Sequence, residues 1–253
     1  MISQYTRMEL VFGTDAVAQL HEKRVAVFGI GGVGGYVMEA LARSGIGTLD
    51  LYDNDTVSLT NINRQLLAVH STIGQAKVDA AEARIHDIDP QIIVNKHKTF
   101  YLPDSPDSEK PDFTKFDYVV DAIDTVTAKI SIIVNAQKAG VPVISCMGCG
   151  NRVDPTKLTV CDIFETKNDP LAKIMRHELR KSGVKSLKVV CSTEPAIRPV
   201  NPESVEEEKS SKSGRRDIPG STAFVPPTAG LLAASVVVRE LTKFNPGDRV
   251  KGR

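Results

Sequence analysis

Tryptophan is absent from the 253 residues, and Phe and Tyr bring the aromatic share to only 5%. So few rings leave little for an aromatic-lined sugar groove or a base-stacking sheet. Cysteine is sparse as well: four residues in this length argue against a disulfide-stapled secreted fold. Neither sign of charge dominates, since 32 Lys and Arg stand against 31 Asp and Glu and the net charge is +1. The opening MISQYTRMEL lacks a basic-then-apolar signal pattern. The longest candidate membrane stretch, Ala223 to Leu241, contains Pro226-Pro227 and then Arg239-Glu240, which leaves too short an apolar run to span a bilayer. These absences predict a soluble, cytoplasmic protein with no membrane association. Core material is present: 41% hydrophobic and 25% charged residues rule out a largely disordered chain and suffice for one large α/β domain or two small ones.

Strands and helices alternate over the first 150 residues. Arg24 to Phe28, Thr48 to Tyr52, Gln91 to Lys96, Asp117 to Asp121 and Val141 to Cys146 are apolar runs bounded by Gly, Pro or Asp, which suits strands buried on both faces of a parallel sheet. Helical stretches separate them at Tyr36 to Ser44, about Ile73 to Ile88, and Val126 to Ala139. The second opens on Thr72-x-x-Gln75, a capping-box pattern. This rhythm predicts a Rossmann-like, doubly wound α/β sheet. After Gly150 it changes. Lys157 to Glu165 alternates like an antiparallel strand, Pro170 to Lys181 reads as an amphipathic helix with a basic tail, and Leu187 to Cys191 as another strand. Thr228 to Phe244 reads as a final apolar helix packed on the sheet. Residues 103–111 and 201–217 read as a surface loop and a mobile polar loop. The organisation expected is one domain over 1–253, with a nucleotide-binding core at about 5–150 and a substrate-facing part at 151–253.

The first strand runs into Gly29-Ile30-Gly31-Gly32-Val33-Gly34-Gly35, a G-x-G-x-x-G turn that opens a helix. Such glycines let the backbone approach a phosphate, which the N–H groups of the helix N-terminus then meet. Asp53 ends the second strand where an acid would bond ribose hydroxyls, although Asp53, Asn54 and Asp55 could equally form a simple turn. To this point a nicotinamide-dependent oxidoreductase is equally served. The next segment suits it less: Asn61 and Arg64 lie one helical turn apart, and Lys77 falls near a helix start, where the macrodipole disfavours a cation unless a phosphate compensates it. Arg64 and Lys77 together could hold a triphosphate and stabilise departing pyrophosphate. Asp124, beyond the fourth strand, is placed to hold Mg²⁺ or to cap the following helix.

GIGGVGG, DNDTVSLTNINRQ, TIGQAKVDA and DAIDT, in this order and spacing, resemble the E1-like (ubiquitin-activating, ThiF-type) superfamily of adenylating enzymes. The resemblance implies that Gly29, Gly31, Gly32, Gly34 and Asp53 bind the phosphates and ribose of ATP. It further implies that Asn61, Arg64 and Lys77 contact the phosphates and that Asp124 holds magnesium. Arg7 matches an arginine that in this superfamily reaches the ATP site of the other protomer of a homodimer, and Asp55 matches a second acidic position of its motif.

In the second half, Gly150-Asn151-Arg152-Val153-Asp154, Asp169-Pro170-Leu171-Ala172, Cys191-Ser192-Thr193-Glu194-Pro195 and Gly220-Ser221-Thr222-Ala223-Phe224-Val225 resemble the branch of tRNA threonylcarbamoyladenosine dehydratases. The implied reaction is ATP-dependent adenylation of the threonyl carboxylate of a modified tRNA adenosine. The substrate's own carbamoyl group then closes a ring, with AMP released. Alternatives are activation of a ubiquitin-like sulfur-carrier protein, the nicotinamide enzyme, and a non-catalytic scaffold. Partners implied are tRNA and a second copy, with a sulfur-transfer or redox protein as a further possibility. Some relatives carry a cysteine shortly before the C-terminal Gly-Ser; Arg215 to Gly220 has none, which excludes a thioester there. Cys191 is a weak candidate nucleophile, packing being the commoner use of such a thiol. Cys146-x-x-Cys149 could be half a zinc site, but the second pair is missing. Between Lys167 and Arg216, twelve Lys and Arg face seven Asp and Glu. This excess, around Arg176, Arg180, Lys181, Lys185 and Lys188, suits contact with RNA phosphates or a solvated helix face.

Overall fold

The computed structural model describes residues 2–99, 101, 110–200, 219–245 and 247. The expected loop at 103–111 falls almost wholly, and that at 201–217 entirely, outside the described residues. Two short helices that the sequence did not announce, α1 (Thr6–Phe12) and α2 (Thr14–His21), lead into β1 (Arg24–Phe28). There follow α3 (Gly34–Arg43), β2 (Thr48–Tyr52), α4 (Lys77–Ile88), β3 (Ile93–His97), β4 (Tyr118–Asp121), α5 (Val126–Lys138) and β5 (Val143–Cys146). The second half adds β6 (Leu158–Asp162), α6 (Pro170–Lys181), β7 (Lys188–Ser192) and α7 (Val225–Leu241).

One seven-stranded sheet takes strands from both halves in the order β3-β2-β1-β4-β5-β7-β6. Every pairing is parallel except β6 with β7, at the edge. The antiparallel addition expected after Gly150 is therefore a single strand, because β7 continues the parallel sheet beside β5. Alternate residues of each central strand serve opposite faces. Val25, Val27, Val120, Ile144 and Val190 meet the layer of α3, α4 and α7, whereas Ala26, Phe28, Val119, Val143 and Val189 meet the layer of α5 and α6. Burial on both faces explains why these strands read as unbroken apolar runs.

Two helix starts differ from expectation. Thr72 does not cap α4: its hydroxyl donates to Leu67 O at 2.6 Å and closes a separate turn, and the helix begins only at Lys77. In the other direction, α7 begins at Val225 and takes Pro226-Pro227 into its first turn, where a missing N–H costs nothing.

From β1 the chain winds outward to β2 and β3, then crosses to β4 on the other side of β1. The carboxyl ends of β1 and β4 thus form the crevice at which open α/β sheets bind ligands.

Candidate active site

The turn after β1 is shaped by close backbone approach. Gly29 has φ +86°, and a Cβ there would stand 2.8 Å from Ala122 O on the exit of β4. A Cβ on Gly34 would stand 1.7 Å from Gly29 O, so only glycine lets α3 start this tightly. The result is a row of N–H groups and a helix N-terminus facing a cleft of about 570 Å³ at the carboxyl edge. Gly29, Gly31 and Gly32 line it together with Asp53, Asp55, Asn61, Arg64, Lys77 and Asp124. Gly34 stands behind them as the first residue of α3, and the other expected site residue that does not line the cleft is Arg7, on α1.

Asp53 holds the glycine turn in place: its Oδ2 accepts the Ile30 N–H at 2.7 Å and its Oδ1 the Asp55 N–H at 2.9 Å. Lys77 is the first residue of α4 and is only 5% exposed, so it is not a solvated side chain. Its ammonium meets the Asp55 carboxylate at 2.7 Å and that of Asp53 at 3.5 Å. The cation at the wrong end of a helix dipole is thus compensated by two carboxylates of its own chain, a correction to the expectation of phosphate alone. Buried Asn61 accepts the Ser58 N–H at 3.2 Å and fixes the turn from which Arg64 extends. The Arg64 guanidinium in turn donates to Thr60 O at 2.8 Å and Asn63 Oδ1 at 3.0 Å.

Asp124 follows β4 as an exposed residue on the cleft lining. It does not cap α5: the N-cap is Thr125, which makes no side-chain cap bond. Sequence reasoning missed Gln65, which is buried, lines the cleft and carries the only buried side-chain oxygen or nitrogen without a partner among the described residues, its Oε1. An unsatisfied buried amide oxygen on the cleft lining is an acceptor that a hydroxyl or amino group of a ligand, or a water, completes. Its adjacency to Arg64 was the available signal. Tyr101 and Thr99, also on the lining, carried none.

Of the quoted C-terminal segments, those at Gly150 and at Gly220-Ser221 line the same cleft, and those around Asp169 and Glu194 brace the first of them through Arg152 and Val153. Arg152, 2% exposed, donates to Glu194 O at 3.1 Å and Asn168 O at 3.3 Å, and its guanidinium lies 3.4 Å from the Asp169 carboxylate. Asp169 also caps α6 through the Ala172 N–H. The Glu194 carboxylate accepts the N–H groups of Val153 and Asp154. Asn151 exchanges two hydrogen bonds with Gly220, and Asn63 donates to Ser221 O at 2.9 Å. Cys149, Gly150 and residues 219–221 thereby form one wall of the cleft.

The thiols are packed. Cys161 and Cys191 lie Sγ to Sγ at 3.5 Å on β6 and β7, and burial pushes the thiols of Cys149 and Cys191 up to about 12. A thiolate at Cys191 is therefore strongly disfavoured. Among the described residues no three His, Cys, Asp or Glu side chains group as metal ligands.

None of Arg176, Arg180, Lys181, Lys185 and Lys188 lines the cleft. To run parallel to β5, β7 must start at the amino edge, so α6 descends from Asp169 near the cleft to the far edge, where Gln137 at the end of α5 meets Ser186. Arg176 donates to Thr166 O, Arg180 stacks 4.9 Å over the Phe164 ring, and Lys181 and Lys188 pair with Glu178 and Glu240. Arg7, exposed on α1, does not line the cleft of its own chain.

The ThiF family matches residues 4–251. A tRNA threonylcarbamoyladenosine dehydratase of Bacillus subtilis is 42% identical over the full length of both chains, and that of Escherichia coli is 32% identical over 91% of this chain and 90% of its own. The crystal structure of E. coli tRNA N6-threonylcarbamoyladenosine dehydratase, TcdA, in complex with ATP aligns with a TM-score of 0.81 at 29% identity, covering 98% of this chain and 96% of that one. Because the match runs through each segment that builds the cleft, from the turn after β1 to the start of α7, the chain belongs to the ThiF family.

Proposed function

We propose that the chain is an ATP-dependent tRNA threonylcarbamoyladenosine dehydratase. It adenylates the threonyl carboxylate of threonylcarbamoyladenosine beside the anticodon and closes it into a ring, with release of pyrophosphate and AMP. The observation that carries this reading is the wall formed by residues 149–150 and 219–221: two of the segments similar to the dehydratase branch, those at Gly150 and at Gly220-Ser221, are joined by hydrogen bonds and line the nucleotide cleft. Kinship along the whole chain with enzymes of that name supports it.

The cleft suits a nucleotide in size, in its glycine cradle and in the unsatisfied Gln65 amide. Bound ATP supplies the AMP that turns the carboxylate oxygen into a good leaving group. The turn after β1 and the N-terminus of α3 hold phosphate oxygens, and Asp53, with lone pairs remaining on both oxygens, accepts from the ribose. Asn61, Arg64 and Lys77 bind the phosphates, and the two cations stabilise charge on the departing pyrophosphate. Asp55 holds Lys77 in position. Asp124 would hold Mg²⁺, an ion that takes one or two carboxylates and completes its octahedron with phosphate oxygens and water.

One sheet drawing strands from both halves supports treating 1–253 as one domain. Arg7, exposed on α1 and not on the lining of its own cleft, fits the role of reaching a second protomer in a homodimer. No helix among the described residues is long and apolar enough to cross a membrane. A tRNA-modifying role supports a cytoplasmic location, and a sulfur-transfer or redox partner is part of this reading. The test is incubation with ATP, Mg²⁺ and tRNA bearing threonylcarbamoyladenosine, then mass analysis of the nucleosides. Loss of one water from that nucleoside is expected; an unchanged mass with folded protein would reject the reaction.

A further inference from the structure

The geometry points to Lys129 as a positioning residue for Asp124. This rests on the proposed role of Asp124 as the magnesium-holding carboxylate. Only residues 122–125 join β4 to α5, and Asp124 is among them. Beneath this link lies an ion pair removed from solvent: Lys129 Nζ is 2.8 Å from the Asp121 carboxylate, and both side chains are 0% exposed. Lys129 also donates to Ile123 O at 3.1 Å and to Cys146 O at 2.9 Å. Asp121 accepts the Ile123 N–H at 3.3 Å and the Ser145 hydroxyl. The pair therefore fixes both backbone polar groups of the residue immediately before Asp124. Through Cys146 it also ties this link to the end of β5, whose continuation at Cys149 and Gly150 lines the cleft as well.

Stability alone accounts poorly for the arrangement, since a buried ion pair is often no better than apolar packing of the same volume. Its hydrogen bonds go to the peptide that sets where Asp124 stands, in the manner of groups that orient metal ligands from behind.

The experiment is calorimetric titration of the full chain with ATP, with and without Mg²⁺. It compares wild type, Asp124→Asn, and Lys129→Met combined with Asp121→Asn, a double change that leaves no carboxylate buried without its counter-ion. The double variant, shown to be folded by circular dichroism, is expected to lose about tenfold of the Mg²⁺-dependent gain in affinity. Its Mg²⁺-free affinity is expected to stay within about twofold of wild type, because the glycine turn is untouched. A wild-type gain, or equal losses with and without Mg²⁺, would overturn the inference. If the double variant does not fold, Lys129→Arg, which keeps the charge and moves the donors, decides by the same two outcomes. An undiminished gain in Asp124→Asn would instead show that the magnesium reading is wrong, and the positioning role would fall with it.

Discussion

Lys77 and Asp124 are two charged residues of one cleft with different ties to the fold. Asp124 is exposed on the link between β4 and α5, so replacing it should cost chemistry and little stability. Asp124→Asn is expected to lower kcat about a hundredfold or more while melting within a few degrees of wild type, as checked by nucleoside assay and thermal denaturation. Lys77 is buried against Asp53 and Asp55, so Lys77→Met should lower both activity and melting temperature, because Asp53 then loses a partner inside the structure. The Cys191 thiol, raised to about 12 by burial, argues the other way. Cys191→Ala is expected to retain activity to within about threefold in the same assay, since a thiol that does not ionise near neutral pH is no nucleophile. The sequence made Asp124 and Lys77 visible as candidates because charge at a strand end or helix start is a local anomaly. It left Lys129 unremarked, because a lysine in mid-helix reads as a solvated one.

At the level of elements, β1 and β2 span the stretches expected, because two-sided burial imposes a continuous apolar run, whereas β3, at the sheet edge and not buried on both faces, starts two residues later than expected. Helix starts were less legible. Thr72 and Gln75 matched a capping pattern but serve a separate turn, and two prolines that read as an interruption open α7 instead. Such starts depend on where the neighbouring backbone passes. The turn from β1 to α3 is the extreme case, and Gly34→Ala should push Gly29 O away and disturb the cradle. Urea unfolding is expected to show a loss of about 1–3 kcal/mol, with ATP affinity falling in parallel.

Across the whole molecule, stability and assembly give two further expectations. Asp50, fully buried on β2, is pushed upward by desolvation, but the hydrogen bonds from Arg24, His97 and Asn95 outweigh this and hold its carboxyl below the ordinary value. A carboxyl depressed on folding adds stability that is present above its unfolded pKa and is lost as pH falls through the folded one. Thermal scans from pH 7 to pH 3 should therefore show the gap between wild type and Asp50→Asn narrowing on acidification. For assembly, a mixture of Arg7→Ala and Asp124→Asn proteins should regain activity that neither has alone, since a mixed dimer would carry one intact cleft. Failure to complement after subunit exchange, verified by mass, would remove Arg7 from the site.

The alternation of strands and helices, the glycine turn and the order of the polar motifs follow from the sequence itself, because apolar periodicity and backbone conformational limits act between near neighbours. Three features arose only in the folded chain: the two carboxylates that balance Lys77, the joining of residues 151 and 220 into one wall, and the placement of the basic end of α6 away from the cleft. Each depends on which strands lie side by side and in which direction they run. That is settled by the packing of two helical layers on one sheet, over separations that local patterning does not reach.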